Sequence, residues 1–271
     1  MRIAKLEVHP EMVNTEPNNG LHWRTRFDFA LSENGKAGLY SSKTKKVIEI
    51  DRCLIAIKDI NNSEIFSKKW YGSDRIRIAV SSSKQLNISR GKRTIDGPKK
   101  IREEVGDNIY NISTQSFWQS HTNAPSLLSN LAIDLMKLTP GDIVCDLYGG
   151  VGLFTMPITK KIGNEGHVHL VEISNHSARD AFKIFKDYNN VSIHRGSVDR
   201  KLPKINNIDI IILDPPRSGA GKKVIGQIIS KKPRAVVYIS CDPASLARDA
   251  KFLYDSGYKL DKIKAVDLFP M

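Results

Sequence analysis

Ile143-Val144-Cys145-Asp146-Leu147-Tyr148-Gly149-Gly150-Val151-Gly152 is the stretch that decides the fold. Its first half is apolar and β-prone, its second half is a glycine-rich turn, and Leu153 to Lys160 follows with helical spacing. The same strand-then-helix unit recurs to the end of the chain. Strands are expected over 167–172, 191–194, 208–213, 235–239 and 260–267, and helices over 177–188, 222–229 and 243–256. A helix over 126–138, with leucines at helical spacing, precedes them and is closed by Pro140-Gly141. Such alternation specifies an α/β fold, a doubly wound and mostly parallel sheet, because parallel strands need covering crossovers on both faces.

Upstream the period changes. Arg24 to Leu31 alternates, Glu33-Asn34-Gly35-Lys36 is a turn, and short β-like runs follow at 37–40, 47–50, 74–80, 85–88 and 108–112, with a helix start near 53–60. The expected organisation is a polar, linker-like segment over 1–20, a smaller antiparallel α+β module over 21–112, and the α/β domain over 113–271.

The chain carries 42 Lys+Arg against 29 Asp+Glu, a formal charge of +13. The stretch Lys84 to Arg102 holds seven basic residues against Asp96 alone. A polyanion is the natural partner, RNA or DNA ahead of a membrane. No apolar run has the length of a bilayer crossing. Glu7, His9 and Glu11 interrupt any leader-like core, so a cytoplasmic protein is expected. Cys53, Cys145 and Cys241 are scattered, which supports neither a disulfide framework nor a metal cluster.

In an open α/β sheet, ligands bind in the crevice at the carboxyl ends of the strands. Four segments end there. The glycine turn lacks the glycine at 155 that a dinucleotide fingerprint requires, since Thr155 stands there. An acidic residue followed by Gly150-Val151-Gly152 matches instead the loop that holds S-adenosylmethionine, with Asp146 suited to its cationic amino-acid end. Glu172 ends the next strand, where a carboxylate accepts from both ribose hydroxyls; a plain helix-capping acid is the other reading. Ser197, with Asp199 as the alternative, is the candidate beside adenine. Asp214-Pro215-Pro216-Arg217 forms a stiff loop whose arginine suits phosphate or developing negative charge. Finally, Tyr238-Ile239-Ser240-Cys241-Asp242-Pro243 reads as a strand end, an exposed thiol, an N-cap and a first helical proline. A helix N-terminus favours a thiolate nucleophile; a buried structural cysteine is the alternative.

Taken together, Phe117-Trp118-Gln119, the glycine turn, Asp214-Pro215-Pro216-Arg217-Ser218-Gly219 and Ser240-Cys241-Asp242-Pro243-Ala244-Ser245-Leu246-Ala247-Arg248-Asp249 resemble the RNA uracil-C5 methyltransferases, which make 5-methyluridine in tRNA and rRNA. Leu21-His22-Trp23-Arg24-Thr25-Arg26 through Cys53 resembles the central module of that family. The resemblance implies a class I methyltransferase fold and a Cys241 thiolate that adds to uracil C6. It implies Asp214 at the reacting centre, and S-adenosylmethionine held by Gln119, Tyr148, Glu172 and Asp214. The base would leave its stack to enter the crevice. Arg217 and Arg248 beside the site, and Lys92 and Arg93 in the basic stretch, are the expected RNA contacts. Two departures bear on this. Relatives continue beyond the position of Phe269-Pro270 into a segment with a His and a general-base Glu; nothing here matches it, so the expectation is a truncated chain, or transfer with slow release. Many relatives begin with an OB-like domain, and some hold an iron–sulfur cluster. Cys53 falls at the fourth ligand position without its three partners, so no cluster and no metal are expected. RNA cytosine-C5 methylation is a competing reading, weakened because no cysteine follows Asp214-Pro215-Pro216. A catalytically silent RNA-binding module is another.

Overall fold

The computed structural model describes residues 2–3, 6–15 and 20–270. They form two compact units, one of Met1–Asn14 with Leu127–Val266 and one of Thr15–Ser126 with Asp267–Met271.

In chain order the first elements are short strands, β1 (Arg2–Ile3), β2 (Leu6–Glu7) and β3 (Glu11–Val13). β1 and β2 pair antiparallel. β3 pairs in parallel with a distant strand, Glu11 facing Lys264 and Val13 facing Val266. Of the expected linker over 1–20, residues 1, 4, 5 and 16–19 lie outside the described residues, and the remainder is largely strand. The reason is main-chain pairing: Glu11 N–H donates to the Ile263 carbonyl at 3.1 Å.

The unit of Thr15–Ser126 is an antiparallel sheet and a hairpin. Its strands are β4 (Arg26–Leu31), β5 (Ala37–Tyr40), β6 (Val47–Glu49), then β7 (Arg75–Val80), β8 (Leu86–Arg90) and β9 (Arg93–Asp96), with helix α1 (Lys58–Asn61) between β6 and β7. The six lie in the order β6-β5-β4-β7-β8-β9. Period-2 alternation puts Phe27, Phe29, Leu31, Ile76, Ile78 and Val80 on one buried face, with Phe27 opposite Ile78 and Phe29 opposite Ile76. β10 (Lys100–Val105) and β11 (Asn108–Ser113) form the hairpin. Buried Glu103 on β10 pairs with Arg26 at 2.8 Å. Residues 113–126 join this unit rather than the α/β domain. The Thr25 N–H and Oγ1 donate to the Ser120 carbonyl at 2.8 and 2.9 Å, and Trp23 stacks on His121 at 5.4 Å between ring centroids.

The other unit, besides β1 to β3, holds α2 (Ala124–Met136) from Leu127 on and continues through β12 (Ile143–Leu147), α3 (Thr155–Ile162), β13 (His167–Glu172), α4 (Asn175–Ile184), β14 (Val191–Arg195), α5 (Val198–Lys201), β15 (Ile210–Leu213), α6 (Gly221–Lys231), β16 (Ala235–Tyr238), α7 (Pro243–Asp255) and β17 (Lys264–Val266). Five strands form one wholly parallel sheet in the order β14-β13-β12-β15-β16. This is the expected doubly wound α/β architecture, and its strand order is that of a class I methyltransferase fold. Interior β15 is Ile-Ile-Ile-Leu and buried throughout, as a strand covered on both faces must be. The strand order reverses between β12 and β15, so the crevice belongs at their carboxyl ends.

Candidate functional site

Register fixes which residues share that edge. Leu147 pairs with Val171 and with Leu213, and Leu213 pairs with Tyr238. The residues just beyond these pairs, Tyr148 to Gly152, Glu172, Asp214 and Ile239 to Cys241, therefore stand in one row. Main-chain bonds continue the row past the strands. Gly149 N–H donates to Val171 O at 3.1 Å, Asp214 N–H to Leu147 O at 3.3 Å, and Ile239 N–H to Leu213 O at 2.9 Å.

The turn after β12 is pressed against the core. A Cβ on Gly149 would lie 2.7 Å from Leu170 and 3.0 Å from the Asp146 carboxyl, and one on Gly152 only 2.4 Å from the Phe185 ring. Gly150 differs: at φ +58° its α-carbon faces open space. Tyr148 also adopts a positive φ, 61°, a strained conformation for a bulky residue and one that clusters at functional sites. Burial, then the nearby carboxylates of Asp249 and Asp199, push its phenol up to about 12. The result is a backbone surface bare of side chains at Gly150, the shape that a close-lying ligand needs.

Carboxylates surround this turn. Glu172 is buried; its Oε2 accepts from Gly150 N–H at 2.9 Å and its Oε1 from Ser174 N–H. Each oxygen keeps a lone pair, so the carboxylate is oriented for a diol without being used up. Asp146 is 1% exposed and accepts from Thr155 Oγ1 at 2.7 Å. Burial first, then Asp214 and Glu172 nearby, push its carboxyl up to about 7. Burial likewise pushes Asp214 up to about 6. Carboxylates that resist ionisation beside an open loop form a site suited to a cation.

Cys241 is exposed, whereas Cys53 and Cys145 are buried and burial raises the Cys145 thiol strongly. The sequence after it folds as its residue types dictate: Asp242 caps α7 by accepting from Ser245 N–H at 2.7 Å, and Pro243 takes the first helical position. About two turns further along, Asp249 is fully buried. Its Oδ2 accepts from Ala220 N–H at 2.8 Å, Gly221 N–H at 3.1 Å and Tyr238 Oη at 2.8 Å. Its Oδ1 accepts from Arg248 Nε at 2.9 Å and Arg248 Nη2 at 2.8 Å. This carboxylate ties the loop that follows Asp214 to the helix that follows Cys241. Gly219, at φ +78°, makes the fit possible, since a Cβ there would lie 2.5 Å from Arg248 Nη2 and 2.6 Å from Asp249 Oδ2.

Asp146, Tyr148, Gly150, Gly152, Glu172, Ser197, Asp214, Arg217 and Cys241 thus all belong to one sheet edge. Ser197 immediately precedes α5, and Asp199 within it pairs with Lys223 at 2.7 Å. Arg217 is exposed. The Arg248 guanidinium, half-exposed, donates to Asp249 and to the Ser218 carbonyl at 2.8 Å. Asp146 spends its Oδ2 on the Thr155 hydroxyl. Gln119, Lys92 and Arg93 lie in the unit of Thr15–Ser126. Lys92 and Arg93 are exposed at the β8–β9 turn. Among the described residues no three His, Cys, Asp or Glu side chains are grouped to hold a metal, and no helix is long and apolar enough to cross a membrane. Sequence reasoning missed Thr155, Tyr238 and Asp249. For Thr155 the signal was present, as the residue that spoils the dinucleotide fingerprint.

The sequence profile of the tRNA (uracil-5-)-methyltransferase family matches residues 75–271. An uncharacterised RNA methyltransferase of Streptomyces avermitilis is 32% identical over 92% of this chain, which spans 64% of that protein. One of Corynebacterium glutamicum is 30% identical over 99% of this chain, which spans 70% of that protein. Among solved structures, the Pyrococcus abyssi tRNA (uracil-54, C5)-methyltransferase in complex with S-adenosyl-L-homocysteine superposes with a TM-score of 0.76 over 96% of this chain and 76% of its own, at 21% identity, a likeness of fold.

Proposed function

The chain belongs to the tRNA (uracil-5-)-methyltransferase family, and from that premise we propose that it methylates C5 of a uridine in tRNA or rRNA through a covalent bond between Cys241 Sγ and C6. The observation that carries this is the exposed Cys241 thiol at the carboxyl edge of the sheet, in one row with Asp214 and the glycine turn. The turn fits S-adenosylmethionine: Gly150 leaves its backbone bare and Glu172 keeps lone pairs for a ribose diol. Bound there, that cofactor supplies an electrophilic methyl group on a sulfonium.

The residues supply the rest. Uracil C5 is a weak nucleophile. The Cys241 thiolate adds to C6, forming the S–C bond, and the C5=C6 electron pair moves toward O4. C5 then takes the methyl group as the sulfonium S–CH3 bond breaks, its electron pair staying on sulfur, so that a neutral thioether would leave. Loss of the C5 proton to a base and cleavage of the S–C bond restore the ring and the thiolate. Asp214, as a carboxylate, accepts from uracil N3–H; cytosine, with an acceptor at N3, finds no partner there. The test is mass spectrometry of nucleosides from RNA incubated with the protein and S-adenosylmethionine. 5-Methyluridine is expected; 5-methylcytidine in its place would favour the competing reaction, and neither product would overturn the proposal.

The carboxylates give a pH dependence. Folded Asp214 titrates at about 6 and Asp146 at about 7, above the value near 4 of an unfolded aspartate. The folded state therefore holds protons that the unfolded chain releases, and the ligand-free fold loses stability as pH rises from about 4 to about 7. A cationic ligand has the opposite preference. Calorimetric affinity for S-adenosylmethionine is expected to rise roughly tenfold or more between pH 5 and pH 8, in line with about 1.4 kcal/mol per pKa unit. Asp214→Asn is expected to flatten the part of that rise near pH 6.

A further inference from the structure

A second basic surface lies on the α/β unit, and it differs from the Lys84–Arg102 stretch. From Pro215 to Cys241 there are six basic residues, Arg217, Lys222, Lys223, Lys231, Lys232 and Arg234, and no acidic one. The run starts directly after Asp214 and ends at the thiol, so it spans α6 between two segments of the site. The neighbouring α5 and the turn after it add Arg200, Lys201 and Lys204 against Asp199 alone.

The lysines divide into two kinds. Lys223 and Lys231 brace α6 against its neighbour: Lys223 Nζ reaches Asp199 at 2.7 Å, and Lys231 Nζ donates to the Pro203 carbonyl at 2.9 Å and to Asn206 Oδ1 at 3.2 Å. Gln227 Nε2 adds a bond to the Asp199 carbonyl at 2.9 Å. Lys204, Lys222 and Lys232 are exposed, and their side-chain ammonium groups make no hydrogen bond or ion pair among the described residues. Of the apolar side chains of α6, Val224, Ile225 and Ile228 are buried and Ile229 is half-buried against the same core. The exposed residues of the helix, Lys222, Lys223, Gly226 and Ser230, are polar or small, which suits a polyanion rather than a lipid layer. At a rise of about 1.5 Å per residue the helix carries this charge over roughly 16 Å, away from the carboxyl edge. In the Lys84–Arg102 stretch, by contrast, Lys84 pairs with Asp59 and Arg102 with Glu104.

The geometry points to the α5–α6 face as a track for the RNA phosphodiester backbone leading from the Cys241 edge, with Lys204, Lys222 and Lys232 as its phosphate contacts. Three cations held on a braced surface without counter-charges gain by releasing the counterions of a polyanion. The assignment rests on the RNA-methylating reading above.

The test is the salt dependence of RNA binding by the full chain, measured by fluorescence anisotropy with labelled tRNA transcripts, for the wild type and for the variant K204Q/K222Q/K232Q. Losing three phosphate contacts is expected to lower the slope of log K against log salt by about 2 and the affinity at 0.1 M salt by about 100-fold. Melting temperature and S-adenosylmethionine affinity are expected to stay those of the wild type. An unchanged slope in a variant that melts normally, beside a wild type that binds and methylates RNA, would overturn the track and leave the function standing. A wild type that neither binds nor methylates RNA would overturn both.

Discussion

Cys241→Ala is expected to lose 5-methyluridine formation by about 10⁴-fold or more, since removing a covalent nucleophile removes the intermediate rather than weakening it. Cys241→Ser is expected to do nearly as badly, because a hydroxyl is far less ionised and less nucleophilic than a thiol at neutral pH. Neither change should disturb the fold: the side chain is exposed, and the α7 cap is made by Asp242. Melting temperature and S-adenosylmethionine affinity are therefore the controls. Cys53→Ala and Cys145→Ala are expected to behave the other way, costing stability through buried cavities while leaving the thiol chemistry in place. A radiolabelled methyl-transfer assay reads the difference directly, and an alanine variant that retains half of the activity would refute the covalent route.

Asp249→Ala is expected to have the largest effect on stability. The carboxylate is fully buried and accepts from two backbone N–H groups, a tyrosine hydroxyl and an arginine. Its removal strands several of these donors at once, and breaking a buried charged network typically costs about 3–5 kcal/mol. In a chain of this size that corresponds to a fall in melting temperature of roughly 10 °C. Asp249→Asn is expected to recover little, because its amide group would direct donors at the donors already there. Tyr238→Phe removes a single partner and is expected to cost about 1 kcal/mol. Thermal melts of the three variants check the ranking. The same carboxylate joins the loop after Asp214 to the helix after Cys241, so residual folded Asp249→Ala should also transfer methyl groups slowly.

What was legible in the sequence follows from how local each signal is. The turn at 148–152 is written in its glycines, and the cap at Asp242-Pro243 in two adjacent residue types; both appear where expected. β3 is three residues long, and its Glu11 meets Lys264 from 253 positions away, so composition alone reads it as linker. β10 is not legible in the sequence because its inward position 103 is a glutamate, which breaks the apolar alternation until Arg26 is brought to neutralise it. Asp249 stands inside the Cys241 motif, but its role is not legible there because its partners arrive from residues 220, 221 and 238. Arg248 and Asp146 have the residue types of ligand contacts, and their bonds to Asp249 and Thr155 are visible only once the chain is folded.

The central claim is that the sulfur of Cys241 bonds to C6 of a pyrimidine. The measurement that tests it most directly is incubation of the wild type with S-adenosylmethionine and RNA transcripts carrying 5-fluorouridine, followed by denaturing electrophoresis and peptide mapping by mass spectrometry. Fluorine at C5 cannot leave as a proton does, so a stable protein–RNA adduct on the peptide containing Cys241 is expected, and none from Cys241→Ala. An adduct mapped to another residue, or none at all from a protein that methylates the unsubstituted RNA, would contradict the account.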